Sequence, residues 1–309
     1  MQIGPYRVVS ELARGGMGVV YRAQGADGAE VALKLLLPEQ AANERARTRF
    51  RKEAETLGRL RHPNLVAHLG HGTHQGAPWL ALEFVDGETL QARLRQGPLP
   101  VPLAISIARQ LAEALAYVHR EGLAHRDIKP DNVLLSGEGA RLTDFGLVLD
   151  EADAQRLTRT GVFLGTPGYW APEQARGDKA QSAARADLYG LGAVLYACLT
   201  GRAPIQATSL QAFMASVEFQ RVSPPRAERP EVPEWLSALC MRCLAFDPER
   251  RPGSASEVVR CLERATADLD APPRRAPPLT LALVGVVAAL ALTLGLVLRG
   301  DAPPPAPVA

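Results

Sequence analysis

Cysteine is scarce in this chain. Four such residues in 309 are too few for the disulfide framework of a small secreted scaffold. Two of them, Cys240 and Cys243, form a C-x-x-C, but neither a second ligand pair nor a thioredoxin-like context accompanies them. They are expected to pack, with Leu244, on one face of a helix. An excess of charge is also missing. The 35 basic and 33 acidic residues leave a net charge of +2, too balanced for a nucleic-acid partner. Residues 1–10 have neither the basic start nor the apolar core of a secretory signal, so the chain is expected to begin in the cytosol. His68, His71 and His74 recur every third residue. Their segment reads as strand, and a strand sends its side chains to alternating faces. The three are therefore not expected to converge on a metal.

What is present is more specific. The length allows one large domain or two lobes, and the apolar fraction of 47% is ordinary for a globular chain with something extra hydrophobic. The string His125-Arg126-Asp127-Ile128-Lys129-Pro130-Asp131-Asn132 matches the pattern H-R-D-x-x-x-x-N. Before it come a glycine-rich stretch from Leu12 to Val20, with Gly15, Gly16 and Gly18, and the strand Val31-Ala32-Leu33-Lys34. After it come Asp144-Phe145-Gly146 and Ala171-Pro172-Glu173. Singly these strings are weak; five in this order and spacing are not. Together they resemble the protein kinases, of the eukaryotic-like (Hanks) serine/threonine type found in bacteria, over about residues 3–262. One departure is Ala13, which stands where the family's first loop glycine is found.

The resemblance implies an α+β, bilobal kinase fold over residues 6–265, with a β-rich N-lobe at about 6–85 and a helical C-lobe at about 86–265. It implies that ATP binds between the lobes. Leu12, Gly15, Gly16, Gly18, Val20, Ala32, Lys34, Glu53, Glu83, Val85 and Leu134 would form its site, with Glu83 and Val85 in the hinge and Leu82 as gatekeeper. Lys34, paired with Glu53, would grip the phosphates. Asn132 and Asp144 would hold Mg2+, with Mn2+ as the alternative. Asp127 would accept the proton of the attacking hydroxyl and Lys129 would hold the transferring phosphate. Lys129 and the run Gly165-Thr166-Pro167 also point to serine/threonine substrates in proteins. Arg126 marks the class controlled by activation-loop phosphorylation, for which Thr158 and Thr160 are the candidates. Thr166, Asp187 and the pair Glu173–Arg251 would support the site structurally. A partner-binding pseudokinase would lack members of the set Lys34, Glu53, Asp127, Asn132 and Asp144, all of which are present. A small-molecule kinase of related fold would lack the Ala171-Pro172-Glu173 segment.

Pattern gives the elements. Residues 6–23 read as two strands about a glycine turn, followed by strands at 31–37, 65–70 and 79–84, which makes a five-stranded sheet. A helix over about 44–60 should end before Pro63. Leu103, Ile107, Leu111, Leu115 and Val118 recur at helical spacing and should be buried together, and residues 187–199 read as a buried helix. Beyond residue 265 the composition changes. A Pro- and Arg-containing linker (266–278) leads into an uncharged run at 279–298. Its twenty residues span roughly 30 Å as a helix, the thickness of a bilayer core. The expectation is a single transmembrane helix, with Arg274 and Arg275 on the cytoplasmic side and a Pro/Ala-rich extracytoplasmic tail at 299–309. Gly285 and Ala289 form a small-xxx-small pair compatible with a homodimer.

Overall fold

An antiparallel sheet of six strands opens the chain: β1 (Gln2–Ile3), β2 (Tyr6–Arg14), β3 (Gly18–Gln24), β4 (Glu30–Leu36), β5 (His68–His74) and β6 (Ala77–Glu83), in the order β1-β2-β3-β4-β6-β5. The computed structural model describes residues 1–16, 18–145, 167–177, 183–207, 212–213, 215–216 and 222–270. The sixth strand corrects the expectation of five. Ile3 is fully buried and pairs with Tyr6, which adds β1 to the edge; a two-residue strand is too short to carry a pattern. Period-two alternation assigns the faces of β4. Val31 and Leu33 join Ile3, Trp79 and Ala81 in a small outer cluster, so Ala32 and Lys34 face the other way.

That other face is covered by α2 (Glu44–Leu57), preceded by the short helix α1 (Pro38–Ala41). Asn43 caps α2, its side chain accepting from the backbone N–H groups of Arg45 and Ala46, as an N-cap asparagine should. Phe50, Glu53, Ala54 and Leu57 are buried, the spacing of one helical face. The helix stops at Leu57, earlier than expected, where Gly58 takes the C-cap. Leu65 does not start a strand of the sheet. It forms a parallel bridge with Leu142 instead, and β5 begins at His68.

The remaining described elements are mostly helical: α3 (Leu90–Leu94), α4 (Val101–Arg120), α5 (Pro172–Arg176), α6 (Ala183–Thr200), α7 (Pro225–Glu228), α8 (Glu234–Cys243) and α9 (Ala255–Asp270). A small sheet of β7 (Glu88–Thr89), β8 (Val133–Ser136) and β9 (Gly139–Leu142) lies among them. In α4, Ile107, Leu111, Leu115 and Val118 are buried, but Leu103 is 41% exposed. A spacing of four residues advances about 40° too far per step, so Leu103 sits about 80° round from Leu111 and leaves the core. Ala104 and Ile105 take its place inside. Helix α4 is also the described helix long and apolar enough to cross a membrane, and it is a core helix here.

Helix α6 is buried at every residue from Ala186 to Leu199. Gly190 lets the loop after α4 press directly on it: a methyl group added there would meet Ile128 Cβ at 2.7 Å. Cys240 and Cys243 pack inside α8, with the Cys240 thiol donating to the Gly192 carbonyl at 3.5 Å. Burial pushes the Cys243 thiol up to about 12, so it stays a protonated core residue. The expected linker, the run at 279–298 and the tail at 299–309 lie outside the described residues.

Candidate active site

The loop between α4 and β8 is held from below by one carboxylate. Asp187 on α6 is buried, and its Oδ2 accepts from the His125 backbone N–H at 2.8 Å while Oδ1 accepts from that of Arg126 at 2.6 Å. His119 Nε2 also reaches Asp187 Oδ2, at 2.9 Å. The His125 ring is fully buried, and burial lowers its pKa, which keeps it neutral. Its Nε2 faces the Thr143 carbonyl at 3.0 Å and so carries the proton, and Nδ1 accepts from the Asp127 N–H at 3.3 Å. Phe145 packs on the same ring, with centroids 4.6 Å apart.

This frame sets Asp127. Lys129 Nζ donates to Asp127 Oδ2 at 2.6 Å, and Asn132 Nδ2 donates to the same oxygen at 2.9 Å and to the Asp127 carbonyl at 2.8 Å. Among the described residues Oδ1 has no partner. Two donors on one oxygen orient the carboxylate and leave the other oxygen to accept a proton. Because the Asn132 nitrogen is spent on Asp127, its amide oxygen is the group left to meet a cation.

Lys34 Nζ lies 2.8 Å from Asp144 Oδ1 and 3.5 Å from Glu53 Oε1. Burial opposes the lysine charge, but Asp144 and Glu53 outweigh it and raise its pKa. Lys34 in turn holds the Asp144 carboxyl below its usual range. Burial raises the Glu53 pKa against the pull of Lys34. Glu53 Oε2 is buried without a hydrogen-bond partner among the described residues. Asp144 and Arg126 both have positive φ, 54° and 69°. Such backbone is costly for a residue with a side chain and concentrates at functional sites. Asn132 and Asp144 offer two hard oxygen donors, one of them ionised. That set suits a cation such as Mg2+, which takes one or two protein ligands and fills the rest with water and phosphate.

The glycine-rich turn lies between β2 and β3. Gly15 N–H donates to the Gly18 carbonyl at 2.9 Å, and a methyl group on Gly18 would meet the Leu35 carbonyl at 2.7 Å. Ala13 pairs with Val20 in the sheet without positive φ, so alanine is accommodated there without strain. Leu12 is half-exposed, and Gly16 is exposed on the turn. Ala32, Val85 and Leu134 are partly buried against the main core, and Val20 in β3 is partly buried. Leu82 is buried.

Glu173 and Arg251 meet at the far side of this region. Their fork-to-fork contact has Nη1 to Oε1 at 2.6 Å and Nη2 to Oε2 at 2.8 Å, with both side chains buried. The residues Thr158, Thr160 and Thr166 lie outside the described residues, as does Gly146.

The sequence assigns no role to Gln174 or Arg141. Gln174 Nε2 donates to the Arg126 carbonyl at 2.9 Å, while its Oε1 accepts from the Ala171 N–H at 3.1 Å. It thus ties the start of α5 to the strained loop residue. A glutamine three places into a helix is a capping signal and could have flagged the second bond, though not the first. Arg141 on β9 pairs with Glu83 at the end of β6 and with Glu138. Residues 58 apart in sequence leave no local signal of such a contact.

The family model of the protein kinase domain matches residues 6–262. Serine/threonine-protein kinase PknD of Mycobacterium tuberculosis is 39% identical over 261 residues, covering 83% of this chain and 39% of PknD. Serine/threonine-protein kinase PknE of Mycobacterium bovis is 38% identical over 272 residues, covering 87% of this chain and 47% of PknE. For serine/threonine-protein kinase pkn2 of Myxococcus xanthus the figures are 38% over 277 residues, 87% and 33%. This chain therefore spans less than half the length of these curated relatives. The crystal structure of the Mycobacterium tuberculosis PknI kinase domain superposes with a TM-score of 0.67 at 30% identity, covering 85% of this chain and 97% of that one.

Proposed function

Because the chain belongs to the protein kinase family, with bacterial Hanks-type serine/threonine kinases as its relatives, we propose that it transfers the γ-phosphate of ATP to serine and threonine hydroxyls of proteins. The observation that carries this reading is the convergence of Lys129 and Asn132 on one oxygen of Asp127. Asp127 Oδ1 accepts the hydroxyl proton as the oxygen attacks. Lys129 moves from its ion pair to the transferring phosphate. Lys34, held by the buried Glu53, binds the inner phosphates, and the glycine turn at Gly15, Gly16 and Gly18 lets the backbone approach them closely. Leu12, Val20, Ala32 and Leu134 supply apolar surface for the adenine, and Glu83 and Val85 supply backbone groups. A divalent cation on Asn132 and Asp144, Mg2+ in this reading or Mn2+, would neutralise charge developing on the phosphates. The test is site mapping by mass spectrometry after incubation with ATP and Mg2+. Phosphate on serine and threonine supports the reading; phosphotyrosine alone, or no phosphate, counts against it.

Thr158 and Thr160 should be among the mapped sites. A phosphate there brings roughly −1.5 to −2 charge, and Arg126, beside the catalytic aspartate in sequence, would be the cation to receive it. Thr166 would then help shape the substrate groove. Replacing both Thr158 and Thr160 by alanine should lower activity toward an added protein substrate. Unchanged turnover in that variant would show that Arg126 does not gate the enzyme.

We also propose that residues 279–298 cross the membrane once, with the kinase domain in the cytoplasm and with Gly285 and Ala289 available for pairing with a second copy. Supporting this are twenty uncharged residues beyond the matched domain. Deleting residues 279–309 should release a soluble and still active kinase. Full-length chain that stays soluble after fractionation and a high-salt wash would rule the anchor out.

A further inference from the structure

We propose that His68 and His71 form a binding site for one borderline divalent transition cation, Zn2+ foremost, on the outer edge of the N-terminal sheet. The expectation that strand alternation would separate these histidines fails for this pair. The register of β5 against β6 shifts between His68 and Gly70, leaving Leu69 as an extra, half-exposed residue. A bulge of this kind re-aims the side chains that flank it. His68 comes opposite Leu82 and His71 opposite Leu80, two residues that share the core face of β6. Both rings therefore stand on one face, with centroids 5.3 Å apart. Beyond His71 the pairing is regular through His74, so His74 points to the opposite face.

The geometry of the pair suits a shared cation. His68 Nε2 and His71 Nδ1 are 3.3 Å apart, within hydrogen-bond reach when one of them carries the proton. Two imidazole nitrogens at 2.0–2.1 Å from one tetrahedral ion stand about 3.3 Å apart. The ring of His68 is backed by the end of α2, since a methyl group on Gly58 would lie 3.4 Å from its Nδ1. Its Nε2 is thereby aimed at His71. Arg61 lies close enough to affect His68, but its guanidinium is bonded to the Gly58 and Leu60 carbonyls and does not occupy the pair. No group of three or more ligands for a metal exists among the described residues, so water completes the coordination. Imidazole ligands select Zn2+, Ni2+ or Cu2+ over Mg2+, which keeps this site chemically distinct from Asn132 and Asp144. The bound ion would pin the β5 bulge beside the last turn of the helix that carries Glu53.

The test is calorimetric titration of nucleotide-free full-length chain in detergent with ZnCl2, using wild type, His68→Gln, His71→Gln and His74→Gln. One ion per chain is expected, weakened about tenfold or more in the first two variants and unchanged in the third. His71 is exposed, so His71→Gln decides the matter even if His68→Gln folds poorly. Copper added to wild type should show two nitrogen ligands by electron paramagnetic resonance, and one in His71→Gln. Zinc affinity unaltered in His71→Gln, equal loss in His74→Gln, or no zinc bound by wild type would overturn the proposal.

Discussion

Asp127→Asn is expected to fold normally and to lose phosphotransfer by about 10²–10⁴-fold, the usual cost of removing a general base. The change is isosteric. The loop that holds Asp127 depends on Asp187, His125 and the backbone, none of which it touches. Asparagine can still accept from Lys129 or Asn132 through its amide oxygen. What it cannot do is take a proton, because the atom that replaces one carboxylate oxygen is a donor. ATP affinity, which rests on other residues, should change little. Steady-state transfer to a protein substrate beside a nucleotide-binding titration separates the two effects. Near-normal transfer by this variant would remove Asp127 from its role.

Arg251→Met should destabilise the domain by about 3–5 kcal/mol, the cost of leaving one member of a buried pair uncompensated. All five guanidinium N–H groups are used here. Nε donates to the Ala245 carbonyl at 2.9 Å, and Nη1 to Glu173 and the Arg185 carbonyl at 2.6 and 2.8 Å. Nη2 donates to Glu173 at 2.8 Å and to the Phe246 carbonyl at 3.4 Å. The Tyr189 ring lies 5.1 Å from the guanidinium carbon. Methionine matches the volume and none of the donors, so the Glu173 carboxylate and three carbonyls lose partners together. Arg251→Lys should recover only part of the loss, since an ammonium has three donors and no planar fork. Urea unfolding of the three proteins measures this. A difference below 1 kcal/mol for Arg251→Met would mean that water reaches Glu173.

The kinase resemblance was legible because phosphoryl transfer needs particular residue types at fixed spacing, and strings such as residues 125–132 carry that spacing within one loop. Periodicity made one core helix legible, since Ile107, Leu111, Leu115 and Val118 of α4 are buried together. Failures came where pattern and geometry part. Ile3 was missed because a two-residue strand has no period. Leu103 was placed in the core because a spacing of four drifts around a helix. Strand alternation alone separates His68 from His71, because an extra residue in one strand is invisible until its partner strand is known. Gln174 to Arg126 and Arg141 to Glu83 are contacts between distant segments, which only the folded chain brings together.

The central claim is that this chain moves phosphate from ATP to protein hydroxyls. Its most direct test is a time course with γ-labelled ATP, Mg2+ and an added protein substrate, followed by identification of the labelled amino acids. The account predicts label on serine and threonine that grows with time, disappears when the metal is chelated and is nearly absent with Asp127→Asn. ATP bound or hydrolysed with no label on protein would contradict it.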